Sequence, residues 1–262
     1  MKQKIYQIDA FTDKVFSGNP AAVCPLEEWL SEDTLQNIAM ENNLAETVFY
    51  VKEDNQYQIR WFTPTVEVDL CGHATLAAAF VLFNYENYNG NIIQFYSPRS
   101  GMLSVTKEGG LLTMNFPSDT FEKVSLSEQI TDGFDIIPKI AFKGKTDYML
   151  VFENEGEVLK VNPSFDIISK LKVRGVIITA KGNKVDFVSR FFAPQSGINE
   201  DPVTGSAHTT LIPYWAKQLN KNNLTAIQLS SRKGYLHCKY LNDRVEISGQ
   251  GKLYLIGEIY LI

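Results

Sequence analysis

The chain repeats itself, and a repeat limits the possible folds more than composition does. RWFTP begins at Arg60 and RFFAP at Arg190, 130 residues later. RSGML (Arg99 to Leu103) answers RKGYL (Arg232 to Leu236) at an offset of 133, and CGHATL (71–76) faces TGSAHT (204–209), with Gly72 and Gly205 again 133 apart. Three matches in one order point to two fused copies of one domain. The change in offset puts three extra residues in the second copy's loop after Phe-Phe-Ala-Pro, where GINED stands. With 262 residues, 44% of them hydrophobic, the chain can bury two ordinary cores. The expected division is residues 1–117 and 118–252, with 117–125 (PSDTFEKVS) as the link and a final strand, about 253–262, returning to the first copy.

Both copies show the same coarse order. YQIRWF and KVDFVSRFF alternate apolar and polar residues as half-buried strands do, and Pro64 and Pro194 stop them. After a polar loop, a small-residue helix begins at Gly72 in one copy and Gly205 in the other, the latter expected to kink or restart at Pro213. More strands follow, IIQFYS with GMLSVTKEGGLLTMNF and AIQLSS with GYLHCKYLNDRVEIS. The first copy adds a helix in PLEEWLSEDTLQNIAMENN, with Ser31 as N-cap and Leu35, Ile38 and Ala39 at helical spacing. Many strands and few helices give an α+β class. Residues 130–170 read only as strand and turn.

A net charge of −5 with scattered Lys and Arg offers no stripe for a row of phosphates, so nucleic acid is not an expected partner. No apolar run has the length of a membrane span or signal peptide, and the expected location is cytoplasmic. Cys24, Cys71 and Cys238 are odd in number and too far apart for a CxxC pair, and with three histidines the expectation is no metal site. The helix starts carry more chemistry. Their first amides are unpaired and bear roughly half a positive charge, and Gly72 and Gly205 let a ligand approach the backbone. In NEDPVTGSAH (199–208), Asp201, Thr204 and Ser206 read either as plain helix caps or, with Gly205, as an anion hole matched by Gly72 and His73. The motif lacks the Lys of a P-loop and the second Gly of a nucleophile elbow. Such a site suits a small carboxylate held by amides, beside a group that moves a proton. Glu46, between a helix end and the apolar strand TVFYV, is the candidate, since apolar neighbours disfavour its charged form.

DAFTDKVFSGNPAAV (9–23), NNLAETVFYV (42–51), EVDLCGHATLAAA (67–79), NEDPVTGSAH and EISGQGKLYL (246–255) resemble the PhzF-like proteins of phenazine biosynthesis, of diaminopimelate-epimerase fold. The resemblance covers nearly the whole chain. It implies two pseudo-symmetric domains, each a barrel-like sheet around a central helix, with the active site in the cleft between them, and a homodimer. It also implies a cofactor-independent isomerase that moves a proton between carbons of a small anionic substrate. Carried over, the catalytic Glu is Glu46, the G-H pair is Gly72 and His73, the D-P-x-T-G-S segment runs from Asp201 to Ser206, and the G-N-P turn puts Asn19 among the substrate contacts. Asp201 and His73 would orient a polar group of the substrate, and Gly72, Gly205 and Ser206 would hold its carboxylate.

Epimerases of this fold use two opposed cysteines, one ahead of each helix. Here Cys71 precedes Gly72, but the second copy offers Pro202 or Thr204 and no thiol. A two-thiol racemase is disfavoured, while Cys71 stands either as a second acid or base, its pKa lowered by the helix start, or as a buried spacer. Epimerisation of an amino acid derivative and non-catalytic binding of a small anion are the alternatives to isomerisation.

Overall fold

The computed structural model describes residues 2–261 and divides into two units. The first takes in residues up to Asn115 and from Ser248 onward, the second Phe116–Ile247. In chain order the first part contains β1 (Lys2–Ala10), β2 (Asn19–Leu26), α1 (Glu32–Asn42), β3 (Glu46–Glu53), β4 (Gln56–Phe62), β5 (Glu67–Val68), α2 (Gly72–Asn84), β6 (Ile92–Ser97), β7 (Gly101–Glu108) and β8 (Leu111–Pro117). There follow β9 (Glu122–Val124), α3 (Glu128–Thr131), β10 (Ile140–Lys143), β11 (Asp147–Val151), α4 (Glu155–Lys160), α5 (Phe165–Ile168), β12 (Gly175–Lys181) and β13 (Phe187–Phe192). The chain ends with α6 (Gly205–Leu219), β14 (Asn223–Gln228), β15 (Gly234–Tyr240), β16 (Arg244–Gly249) and β17 (Gly251–Tyr260).

Strand pairing repeats as the sequence does. From β1 through β2, β3, β4 and β6 to β7, successive pairs run antiparallel, parallel, antiparallel, parallel and antiparallel. From β10 through β11, β12, β13 and β14 to β15 the same alternation recurs. Each parallel pair needs a crossover, and helices supply it: α1 and α2 in the first unit, α4 with α5 and then α6 in the second. The segment between β4 and α2, which includes β5, spans 63–71 and the segment between β13 and α6 spans 193–204, nine residues against twelve. The last strand, β17, pairs with β1, and β9, inside the segment expected to be a link, pairs with β10.

Two kinds of helix result. α1 is amphipathic: Ser31 caps it by accepting the Thr34 N–H, and Leu35, Ile38 and Ala39 pack with Cys24, Phe49 and Phe62 of the sheet. α2 is buried on nearly every side, from His73 to Ala79 and at Val81 and Leu82, and packs on β1, β2, β3 and β17. Small side chains permit that central position. α6 is buried from Thr210 to Ala216 and packs on β11, β14 and β15.

Pro213 does not break α6, which runs unbroken to Leu219. Proline removes one N–H from a helix and leaves the carbonyl four residues earlier without its bond. Here that carbonyl, of Thr209, accepts the N–H of Asp119 at 3.1 Å. No helix among the described residues is long and apolar enough to cross a membrane.

Candidate active site

In the first unit the strand register brings three separate segments together. Glu46 opens β3, just after α1 ends at Asn43 in a left-handed conformation (φ 47°), and Glu46 lies opposite Ala21 of β2. Residues two apart share a strand face, so Asn19 lies on the Ala21 side of β2. Gly18 delivers the chain there with φ +65°, and a Cβ on it would stand 2.1 Å from the Ala10 carbonyl oxygen. Only glycine fits that turn.

The start of α2 brings His73 between these residues. Its Nε2 lies 3.1 Å from Glu46 Oε2, and its Nδ1 is 3.2 Å from Asn19 Nδ2 and 3.4 Å from Cys71 Sγ. The His73 and Glu46 side chains are only 5% and 12% exposed, so water hardly screens their interaction. Nε2 and Oε2 are close but not aligned as a hydrogen bond, and neither has another partner among the described residues. Burial acts against a charged His73, but the acidic groups of Cys71 and Glu46 outweigh it and hold the imidazole pKa well above the ordinary histidine value. Cys71 corrects one expectation. Burial, helped by the charge of Glu46, pushes the thiol up and outweighs the lowering by His73 and by the Ala74 amide at the helix start.

In the second unit a polar lattice fixes the DPVTG segment. Thr204 donates its hydroxyl to the Asp201 carboxylate and its N–H to Gln228 Oε1 at 2.9 Å. Gln228 Nε2 donates to the Asp201 carbonyl at 2.7 Å, and Ser230 Oγ to the Pro202 carbonyl at 2.8 Å. Gly234 completes it, since a Cβ there would press on Val203 at 2.2 Å. Neither Thr204 nor Cys71 caps its helix with its side chain. The first amides of α6, at Gly205 and Ser206, thus lack a side-chain cap, as do those of Gly72 and His73 in α2. That sets aside the reading of Thr204 as a plain cap.

Arg174 is a residue the sequence reading did not single out. It precedes β12, and its guanidinium grips the carboxylate of Asp147, whose side chain is 3% exposed, through both Nε and Nη2. Its Nη1 donates to Ser206 Oγ at 2.8 Å. The repeat was the available signal, because RGVIIT stands to its strand as ETVFYV stands to β3. Of the remaining histidines, His208 is buried with Nδ1 on the Thr204 carbonyl at 2.8 Å, and His237 is exposed on β15. Cys24 and Cys238 are buried in the core.

A barrel-like sheet repeated in two units, each around a buried helix that starts at glycine, is the architecture of the epimerase-like fold. A hydroxyproline epimerase from Agrobacterium vitis shares it at a TM-score of 0.61 and 8% identity, over 98% of this chain and 92% of that one. The family described as phenazine biosynthesis-like protein, PhzC-PhzF, matches residues 8–256, and the chain belongs to it. An uncharacterized isomerase of Pseudomonas aeruginosa is 48% identical over 261 residues, covering all of both chains. The crystal structure of a PhzF-family phenazine biosynthesis protein from Enterococcus faecalis, also 48% identical, matches with a TM-score of 0.97 over the whole of both chains.

Proposed function

We propose that this protein is an isomerase that shifts a proton between carbons of a small carboxylate substrate without an organic cofactor, with Glu46 as the carrier. The observation that carries this reading is the nearly enclosed Glu46–His73 pair, 3.1 Å apart at an uncapped helix start, in a chain whose relatives include proteins named isomerases. Glu46 takes a proton from one substrate carbon, the electron pair moves into the adjoining unsaturation, and the same carboxyl returns the proton to a second carbon. His73, 3.1 Å away and held toward its charged form by the neighbouring acidic groups, steadies the carboxylate while it is charged and orients a polar group of the substrate. The substrate carboxylate takes the amides of a helix start, those of Gly205 and Ser206 or those of Gly72 and His73. Each donor aimed at developing charge contributes on the order of ~10²-fold in rate. Asp201, held by Thr204, serves to orient an amino group.

A second reading is epimerisation of an amino acid derivative by Glu46 with Cys71, favoured by the thiol 3.4 Å from His73 Nδ1. Thr204 stands where a second thiol would, at the N-cap of α6, so a two-cysteine racemase has no support. Incubating a panel of unsaturated and amino carboxylates with the protein in D2O and following them by NMR tests both readings. Isomerisation shows as label uptake with a moved double bond, epimerisation as label uptake with loss of optical rotation. Binding without label uptake across the panel would leave a small-anion binder instead.

A further inference from the structure

We propose that Arg60 and Arg190 are positioning residues, each clamping a glutamate five residues ahead of a helix-tip glycine so that the segment between, with its site residues, keeps one geometry. The two clamps are built alike. Arg60 Nε and Nη2 donate to Glu67 Oε1 and Oε2 at 2.7 and 2.8 Å, and Arg190 Nε and Nη2 donate to Glu200 Oε1 and Oε2 at 2.7 and 3.0 Å. Each guanidinium also lies over the phenylalanine two residues on, 5.2 Å from the Phe62 ring centre and 4.9 Å from that of Phe192. The two arginine side chains are only 16% and 12% exposed, so solvent screens these forked pairs weakly.

The spacing points to what the clamps are for. From arginine to glutamate the chain takes seven residues in the first copy and ten in the second, whereas from glutamate to glycine both copies take five. The three extra residues are absorbed ahead of the clamp and leave the segment behind it unchanged in length. Pairs that served stability alone would not have to keep that distance. Directly after each glutamate the chain returns to the strand it left: Val68 pairs with Trp61, and the Asp201 N–H donates to the Phe191 carbonyl at 3.1 Å. Behind the first clamp stand Cys71 and His73, and behind the second Asp201, Thr204 and Ser206. A shift of about 1 Å in such groups costs on the order of 10²-fold in rate. The clamps differ in their backing. Glu67 also takes Arg99 Nη2 at 2.8 Å, while Arg190 Nη1 donates to the carbonyls of Val158 and Val161 at the end of α4. That each clamp fixes its own segment does not depend on the isomerase reading. Its consequence, slower proton transfer when a segment loosens, does rest on that reading.

The test uses the full-length protein with Arg60→Lys or Arg190→Lys, which keep the charge and lose the fork. Amide hydrogen exchange followed by NMR should quicken about tenfold or more in residues 63–73 of the first variant and 193–206 of the second, and little elsewhere. In Arg60→Lys the His73 ring should titrate closer to the ordinary histidine value, because its acidic neighbours act on it less, whereas in Arg190→Lys it should titrate as in the unsubstituted protein. With a carboxylate of the D2O panel that takes up label, Arg60→Lys should lower kcat on the order of tenfold or more at nearly constant KM, and Arg190→Lys should raise KM. Exchange that stays unchanged or quickens evenly over the chain, a His73 titration unmoved in Arg60→Lys, or kcat and KM unchanged in both variants makes the pairs plain stabilisers and overturns the proposal. Should a lysine variant fail to fold, Glu67→Gln or Glu200→Gln takes its place under the same criteria. The isomerase reading fails separately, by absence of label uptake in the unsubstituted protein, and local exchange with the His73 titration then still decides the clamps.

Discussion

The tips of α2 and α6 have nearly the same backbone and opposite chemistry. Cys71 (φ −136°, ψ 109°) and Thr204 (φ −109°, ψ 98°) hold equivalent N-cap positions, and glycine follows each. Beyond the glycine stand His73 in one copy and Ser206 in the other. At the start of the neighbouring strand, the first copy sets Glu46 against His73, and the second sets Arg174 against Ser206. A titratable acid meets a titratable base in the first case. In the second, a guanidinium that keeps its charge at any physiological pH orients a hydroxyl. The comparison teaches that two helix starts of nearly one backbone can carry a titratable acid–base pair in one copy and a fixed charge in the other, according to the residues set beside them.

The largest effect should come from the acid. Glu46→Gln keeps the shape of the side chain and removes its capacity to accept a proton, so deuterium incorporation should fall by about 10³-fold, within the span general acid–base groups supply. Thermal stability should change little. A variant that exchanges label at the normal rate would erase the contrast between the two tips. Next comes Arg174→Met. It leaves the Asp147 carboxylate buried without its cation and should lower stability by about 3 kcal/mol in urea unfolding, the low end for a broken buried pair because Arg174 is itself partly exposed. Replacing Asp147 by Leu in the same protein should restore most of the loss.

Legibility in the sequence followed the range of the interactions. α1 was readable with its cap, because Ser31, Leu35, Ile38 and Ala39 act within one helix. The starts of α2 and α6 were readable from their glycines and the repeat. The passage of α6 through Pro213 was not, because the bond that replaces the missing one comes from Asp119, 90 residues before Thr209. Residues 130–170 stayed dark because α3, α4 and α5 are four to six residues long, too short to show a period. At the site, Glu46 and His73 could be named singly. Their contact with Cys71 and Asn19 could not, since it follows from the register of β2 with β3. The ion pair of Arg174 with Asp147 bridges 27 positions and leaves no local pattern.

Two buried histidines extend the comparison to pH. The acids beside His73 raise its pKa, whereas His208, in α6, meets a carbonyl instead, and burial pushes its pKa down to about 4. An unfolded histidine titrates near 6.5, so between about 6.5 and 4 the unfolded chain binds a proton that folded His208 refuses. The stability from neutral His208 is therefore complete above about pH 6.5 and is lost as pH falls toward 4, by up to about 3 kcal/mol. Urea unfolding from pH 7 to pH 4 should show this loss in the unsubstituted protein and a flatter profile in His208→Gln. Equal slopes would mean that His208 reaches solvent, and that the second copy's helix start is less closed than its hydrogen bonds imply.

The smallest expected effect sharpens the comparison most. Arg174 Nη1 donates to Ser206 Oγ, so the serine's own hydrogen must point to another acceptor, and Ser206 is exposed. In the proposed function that acceptor is a substrate carboxylate oxygen. Ser206→Ala removes that one neutral donor, worth about 1 kcal/mol, and should raise KM several-fold with kcat nearly unchanged. Stability should stay within about 0.5 kcal/mol, because Arg174 is exposed enough to replace the lost partner with water. The opposite split, with kcat falling at constant KM, would place Ser206 in the proton-transfer step and end the division of labour between the two helix tips. A loss of stability without a change in either constant would make the Arg174–Ser206 contact a brace for α6 and no part of substrate recognition.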